Sequence, residues 1–131
     1  MKNRSEPHPI SIGGRARSIA HALRGIRTLI ATQPNAMLHM AVAVAVVALG
    51  LVLGLSLMEW ALVAVSIASV LASEAFNTAL EFLADAVQPN HDPLIGRAKD
   101  VAAGAVLLTS LGAAAVGLLI FLPHVLRMVR G

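Results

Sequence analysis

The chain has 131 residues, of which 57% are hydrophobic and 13% charged, with a formal net charge of +3. Soluble domains carry roughly 25% charged residues, and a chain this short buries too little of its surface to hide so much apolar area from water. A soluble globular fold and general disorder are excluded, which leaves the bilayer as solvent. The absence of cysteine removes disulfides, thiolate metal sites and cysteine nucleophiles.

In chain order, residues 1–14 read as a flexible tail, 15–127 as one membrane domain and 128–131 as a closing tail. Within residues 15–31, Ile19, Leu23, Ile26 and Ile30 recur at helical spacing, surrounded by Arg15, Arg17, Arg24 and Arg27. A basic amphipathic helix beside a membrane span lies in the interface. Three spans follow, at about 34–55, 59–87 and 99–122. Residues 40–58 and 101–123 carry no charge, and both runs match the ~18 residues that mark a spanning helix. Thr32 is placed to cap the first span and Pro34 suits its first turn. Residues 55–58 form a very short connection, and Trp60 reads as an interfacial anchor. Pro89 and Pro93 break the chain after the second span. Because the first apolar run begins only after about 35 polar or mixed residues, no cleaved signal is expected.

Three spans put Lys2, Arg4, Arg15, Arg17, Arg24, Arg27, Arg97 and Lys99 on one side, with Arg127 and Arg130 on the other. The positive-inside rule makes the N-terminus and the second connection cytoplasmic. The basic excess fits membrane orientation and anionic lipid, and no nucleic-acid partner is expected.

The second span is unusual. Residues 60–73 are uncharged, and then Glu74, Asn77, Glu81 and Asp85 appear at spacings of three and four. At 100° per residue they fall within an arc of about 80°. Glu74 follows about 14 apolar residues, or ~21 Å of rise, which puts it near the inner membrane boundary. Carboxylates there are expensive and have a task. A snorkelling stripe paired with Lys99, Arg97 or Arg24 is the bland alternative. The functional reading is a divalent-metal and proton-transfer site, since hard oxygen ligands suit Mg²⁺ shared with phosphates. No Gly-rich phosphate loop is present. Arg97 to Asp100 opens the third span, where Lys99 suits a phosphate and Asp100 a metal, a nucleotide or the helix N-terminus. The histidines are scattered, and no pair has i, i+4 metal spacing. His39, inside the first apolar run, reads as an interfacial or interhelical hydrogen-bonding residue. The third span is dense in Ala and Gly (Gly104, Gly112 and Gly117 among them), which permits close helix packing.

Glu74-Ala75-Phe76-Asn77-Thr78-Ala79-Leu80-Glu81 with Asp85 resembles the signature of the bacterial integral-membrane diacylglycerol kinase and undecaprenol kinase family. Arg97-Ala98-Lys99-Asp100-Val101-Ala102-Ala103-Gly104 resembles its second block, at the right distance. Ser18, Ala22 and Gly25 resemble its N-terminal helix, and Thr32-Gln33-Pro34-Asn35 with His39 the start of its first span. The likeness runs from about Arg15 to Pro123.

The resemblance implies an all-α homotrimer of three-span subunits, each with an interfacial N-terminal helix, in the bacterial inner membrane with the active site on the cytoplasmic side. It implies ATP as co-substrate, Mg²⁺ as metal and a membrane lipid alcohol as acceptor. By motif position Glu74 is the general base and Asn77 belongs with it. Glu81 and Gln33 hold Mg²⁺. Glu81, Lys99, Asp100, Gln33, Arg17 and His21 surround ATP, and Glu74, Asn35 and His39 meet the lipid. Gln33 stands where many members have a metal-binding Glu, Pro34 and Met37 where Arg is frequent, and Asp92 where His is common. The expected product is phosphatidic acid from diacylglycerol, with undecaprenyl phosphate from undecaprenol as the alternative. The pattern from Thr32 to His39 leans toward the latter. A non-enzymatic small channel or accessory subunit would account for the spans and the stripe, but not for the block at 97–100.

Overall fold

The computed structural model describes residues 12–130, and side chains from residue 13. The described chain is all-helical: α1 is Ile12–Thr32, α2 Pro34–Leu53, α3 Leu57–Val87 and α4 Pro93–Arg130. The last three are long and apolar enough to cross a membrane. Their 20, 31 and 38 residues correspond to about 30, 46 and 57 Å at 1.5 Å per residue. Thus α2 matches the ~30 Å hydrocarbon core, while α3 and α4 outrun it.

The helix limits correct several expectations. Helix α1 is already formed at Ile12, so the expected tail at 1–14 is helical at its end, and its remainder lies outside the described residues. Thr32 does not cap α2, because its hydroxyl donates to the Thr28 carbonyl oxygen at 2.9 Å, within α1. Gln33 occupies the cap position with extended backbone and no side-chain cap, followed by Pro34 in the first turn. Helix α2 ends at Leu53, before the span limit of 55, because Gly54 turns left-handed at φ 66° and its N–H donates to the Gly50 carbonyl. Only Gly adopts that conformation without cost. Helix α3 starts at Leu57, two residues early. Ser56 and Glu59 form a reciprocal capping box: the Glu59 carboxylate accepts from the Ser56 N–H at 2.8 Å and the Ser56 hydroxyl accepts from the Glu59 N–H.

Helix α4 differs most. It opens at Pro93 and not near 99, because the Asp92 carboxylate accepts from the Leu94 and Ile95 N–H groups and Pro93 needs no donor at the first helical position. It also runs through Pro123 to Arg130, so residues 128–130 are helix and not tail. Proline inside a helix is tolerated in membrane proteins, where neighbouring groups and local adjustment satisfy the freed carbonyl.

Helices α3 and α4 pack antiparallel in one continuous register, marked by three side-chain ties. His124 Nε2 meets Glu59 Oε1 at 2.9 Å at one end, Ser73 Oγ meets Thr109 Oγ1 at 3.0 Å midway, and Lys99 Nζ meets Asp85 Oδ1 at 2.5 Å at the other. Between them Leu55, Val63 and Ile120 form the buried apolar cluster, with Trp60 and Phe121 against it. Elsewhere the surface is inverted relative to a soluble protein. Val52, Leu119 and Leu108 are widely exposed, as befits faces that meet lipid or another copy. Ile19, Leu23 and Ile26 of α1 are also exposed within the protomer, while Ile30 near its end is half-buried.

The α2–α3 turn leaves little room. A Cβ at Gly50 would lie 2.9 Å from the Trp60 ring and 3.4 Å from Leu55. Gly50→Ala is therefore expected to lower stability in detergent by about 1–3 kcal/mol through overpacking, although Ala is the better helix former by ~1 kcal/mol. A raised thermal midpoint would show that helix propensity wins and that the contact is loose.

Candidate active site

The polar stripe of α3 lies at the end of the bundle away from the α2–α3 turn. That turn is short, so levels on the two helices can be read by counting outward from it. A cavity of about 260 Å³ between α2, α3 and α4 agrees with the count, since its lining runs from His39 to Val46 on α2 and from Val63 to Leu71 on α3. By the same register Ala36 sits at the level of Glu74, and Gln33 at that of Asn77. Glu74 therefore lies just inside the length of α2, Asn77 at its edge, and Glu81 about 10 Å further out than Glu74 by helical rise.

Burial follows this order. Glu74 is 2% exposed and Ala36, whose small side chain leaves room at that level, 1%. Asn77 is 8% exposed and Thr78 4%, while Glu81 is half-buried and Asp85 exposed. Among the described residues the Glu74 carboxylate has no hydrogen-bond or ion-pair partner. Asn77 Nδ2 donates to Glu81 Oε1 at 3.0 Å, which fixes the amide orientation. Among the described residues Asn77 Oδ1 and Thr78 Oγ1 are buried without partners, as is Ser110 Oγ on α4. Unpaired buried polar atoms are rare in native structures, and each needs a physical cause. Here Asn77 and Thr78 stand together on one helical turn beside a buried carboxylate.

The expected pairing of the stripe is resolved in part. Lys99 takes Asp85, one turn beyond Glu81, and does not reach the buried carboxylates. Arg24 instead bonds His21 on its own helix, Nη2 to Nδ1 at 2.7 Å. Asp100 is exposed in α4, two turns past its start, so it does not serve the helix N-terminus. Arg17, His21 and Asn35 are exposed, and Gln33 is half-buried with its amide uncommitted. His39 lines the cavity, and its ring forms no hydrogen bond among the described residues. The structure thus brings Glu74, Asn77 and Glu81 together and sets Gln33 at their level. It leaves Arg17, His21, Asn35 and Asp100 apart on the protomer's surface. Among the described residues no three His, Asp or Glu side chains converge as a metal cluster. The buried hydroxyl of Thr78 escaped sequence reasoning, because a threonine in a helix signals nothing until its burial and lack of partner are seen.

A buried carboxylate below a half-exposed one, at the boundary of a three-span bundle, can take a proton from a lipid group while an anionic co-substrate stays in water. Comparison with known proteins agrees. The family profile described as "Prokaryotic diacylglycerol kinase" matches residues 20–121. An undecaprenol kinase of Bacillus subtilis is 38% identical over 119 residues, covering 91% of this chain and 97% of that protein. A diacylglycerol kinase of Synechocystis is 36% identical over 113 residues, covering 86% of this chain and 65% of that protein. On this match of sequence over most of its length, the chain, with its three candidate membrane spans, belongs to the prokaryotic diacylglycerol kinase family of ATP-dependent lipid kinases.

Proposed function

We propose that the acceptor is undecaprenol, phosphorylated at its primary hydroxyl, with Glu74 as general base. The observation that carries the mechanism is the Glu74 carboxylate: 2% exposed, without a partner, and inside the length of the shortest span. A burial so costly is supported by a task at the membrane boundary. The choice of acceptor rests on the Bacillus relative, which matches along nearly its whole length. Diacylglycerol is the second reading, favoured by the family description and the Synechocystis relative.

Phosphoryl transfer needs alignment and charge neutralisation more than covalent help. The Glu74 carboxylate accepts the hydroxyl proton, the alcohol oxygen bonds to the γ-phosphorus, and the bond to the β-phosphate oxygen breaks to release ADP. Asn77 holds Glu81 through its amide N–H, keeping that carboxylate at the level where the phosphates arrive. Lys99 and Asp100 on α4, with Arg17 and His21 on α1, face the aqueous side and belong to the nucleotide in this reading. Asn35 and His39 line the lipid's approach along α2.

The residues present fit Mg²⁺. This ion uses one or two carboxylates plus phosphates and keeps several waters, so the lack of a dense acidic cluster is no obstacle. Glu81 and the uncommitted Gln33 amide would hold it, and when bound it neutralises charge on the transferring phosphate. The homotrimer and the cytoplasmic placement of the N-terminus and active site belong to the same reading. Exposed apolar faces and the small residues of α4 support close packing between copies, and the Lys and Arg distribution supports the orientation.

Purified protein in mixed micelles with ATP and Mg²⁺ is expected to phosphorylate undecaprenol with higher kcat/KM than diacylglycerol. The opposite preference would establish the second reading. Glu74→Gln is expected to fold and bind ATP but to lose roughly 10²- to 10⁴-fold in turnover, the usual worth of a general base. Near-normal turnover would make Glu74 a structural carboxylate. Gln33→Glu is expected to lower the Mg²⁺ concentration for half-maximal rate by roughly three- to tenfold, because added ligand charge tightens hard-cation sites. An unchanged Mg²⁺ dependence would remove Gln33 from the metal.

A further inference from the structure

Among the described residues, five helical hydroxyls bond back to their own helix, whereas Thr78 and Ser110 are buried without a partner, and of these two only Thr78 stands on the polar stripe of α3. Ser18, Thr32, Ser69, Ser73 and Thr109 each donate to the carbonyl four residues back, at 2.7–3.1 Å. That is the ordinary refuge of a hydroxyl in an apolar helix. Thr78 does not take it. The carbonyl four residues back is that of Glu74, yet Thr78 Oγ1 is buried with no partner, in a side chain only 4% exposed. One turn earlier on the same face, the Glu74 carboxylate also lacks a partner. The two do not bond each other, although residues four apart on a helix are neighbours. The burial of Thr78 arises within a single copy, so it does not depend on a second one.

We propose that Thr78 is a substrate-contacting residue whose hydroxyl donates to the reacting oxygen of the lipid alcohol. This inference rests on Glu74 being the base. An alcohol oxygen has one proton to give and two lone pairs. Its proton goes to Glu74, one lone pair accepts from Thr78 Oγ1–H, and the other is left for the γ-phosphorus. The same hydroxyl therefore satisfies both buried groups, and its oxygen is oriented for attack before the phosphate arrives. As the O–P bond forms, Glu74 takes the proton, the bond to the β-phosphate oxygen breaks and ADP departs. Thr78 keeps its own proton throughout. The site thereby selects a free hydroxyl at membrane depth and gives Thr78 a role separate from nucleotide and metal.

The experiment compares Thr78→Val, Thr78→Ala and Thr78→Ser in the full chain, in mixed micelles with undecaprenol and with a short-chain diacylglycerol. Val keeps the volume and removes the hydroxyl, Ala removes both, and Ser keeps the hydroxyl. Val and Ala are expected to lower kcat/KM for the lipid by roughly five- to tenfold, the worth of one neutral hydrogen bond. KM for MgATP should change less than about twofold, and Ser should retain activity within about twofold of the parent. The thermal midpoint of Thr78→Val should be equal or higher, because exchanging an unpaired buried hydroxyl for an apolar group of the same shape is neutral or stabilising. In a Glu74→Gln background Thr78→Val should add less than about twofold, since both act on one oxygen. Parental lipid kcat/KM in Thr78→Val or Thr78→Ala overturns the proposal. So does a joint loss of activity and midpoint in Val and Ser, which marks a packing role. If Glu74→Gln is crippled while Thr78→Val matches the parent, only this inference fails. If Glu74→Gln keeps parental turnover, the base assignment fails and takes this one with it.

Discussion

The tight turn between α2 and α3 sets the depth of everything that follows. Gly54 leaves α2 in a left-handed conformation, Leu55 tucks into the core, and Ser56 caps α3 at once through its exchange with Glu59. With no slack in the connection, the two helices share a common zero, and the 20 residues of α2 measure the hydrocarbon core along α3. The position of Glu74 relative to the membrane is then a consequence of chain length. Lengthening the turn by even a few residues would release the register and let the carboxylate slide toward water. The buried contact of Trp60 against Gly50 holds the same turn from the inside.

The three ties between α3 and α4 carry the register across the bundle. One sits at each end and one in the middle, each pairing polar groups across the two helices. Among the described residues the turn from Glu74 to Thr78 holds two of the buried polar atoms that lack a partner, Asn77 Oδ1 and Thr78 Oγ1. Its amide oxygen and hydroxyl carry a desolvation cost that no interaction among the described residues offsets. Natural proteins accept such a cost where a ligand completes the set, at the expense of stability in the free protein. In the mechanism proposed above, the acceptor hydroxyl is the group that completes it.

The spans were legible because length and lack of charge are nearly sufficient for a membrane helix. The stripe was legible because four polar residues on one face of an apolar helix are too costly near lipid to stand there without partners or a task. The ends were less so, since several residues carry ambiguous local signals. Pro93 reads as a breaker until Asp92 is seen to cap the helix it begins. Pro123 reads as a terminus although lipid leaves the backbone no alternative but to remain helical. Thr32 is a good cap by type, but its hydroxyl already had a carbonyl in its own helix. The pattern Ser56-x-x-Glu59 was a readable capping signature, masked by the apolar residues around it. Lys99 and Asp100 are adjacent in sequence but diverge by about 100° on α4, and only Lys99 finds α3. The silence of Thr78 has a different cause. A missing hydrogen bond is a property of packing and leaves no trace in composition or spacing.

The depth ordering along α3 is the claim on which the account turns, and the chain offers a clean way to measure it because it contains no cysteine. Single replacements Glu74→Cys, Glu81→Cys and Asp85→Cys, in protein reconstituted into vesicles, can be labelled with a membrane-impermeant thiol reagent from each side. The account predicts rapid labelling at position 85, slower labelling at 81, and protection at 74 from both sides. Labelling at 74 as fast as at 85 would place the stripe in water and contradict the account.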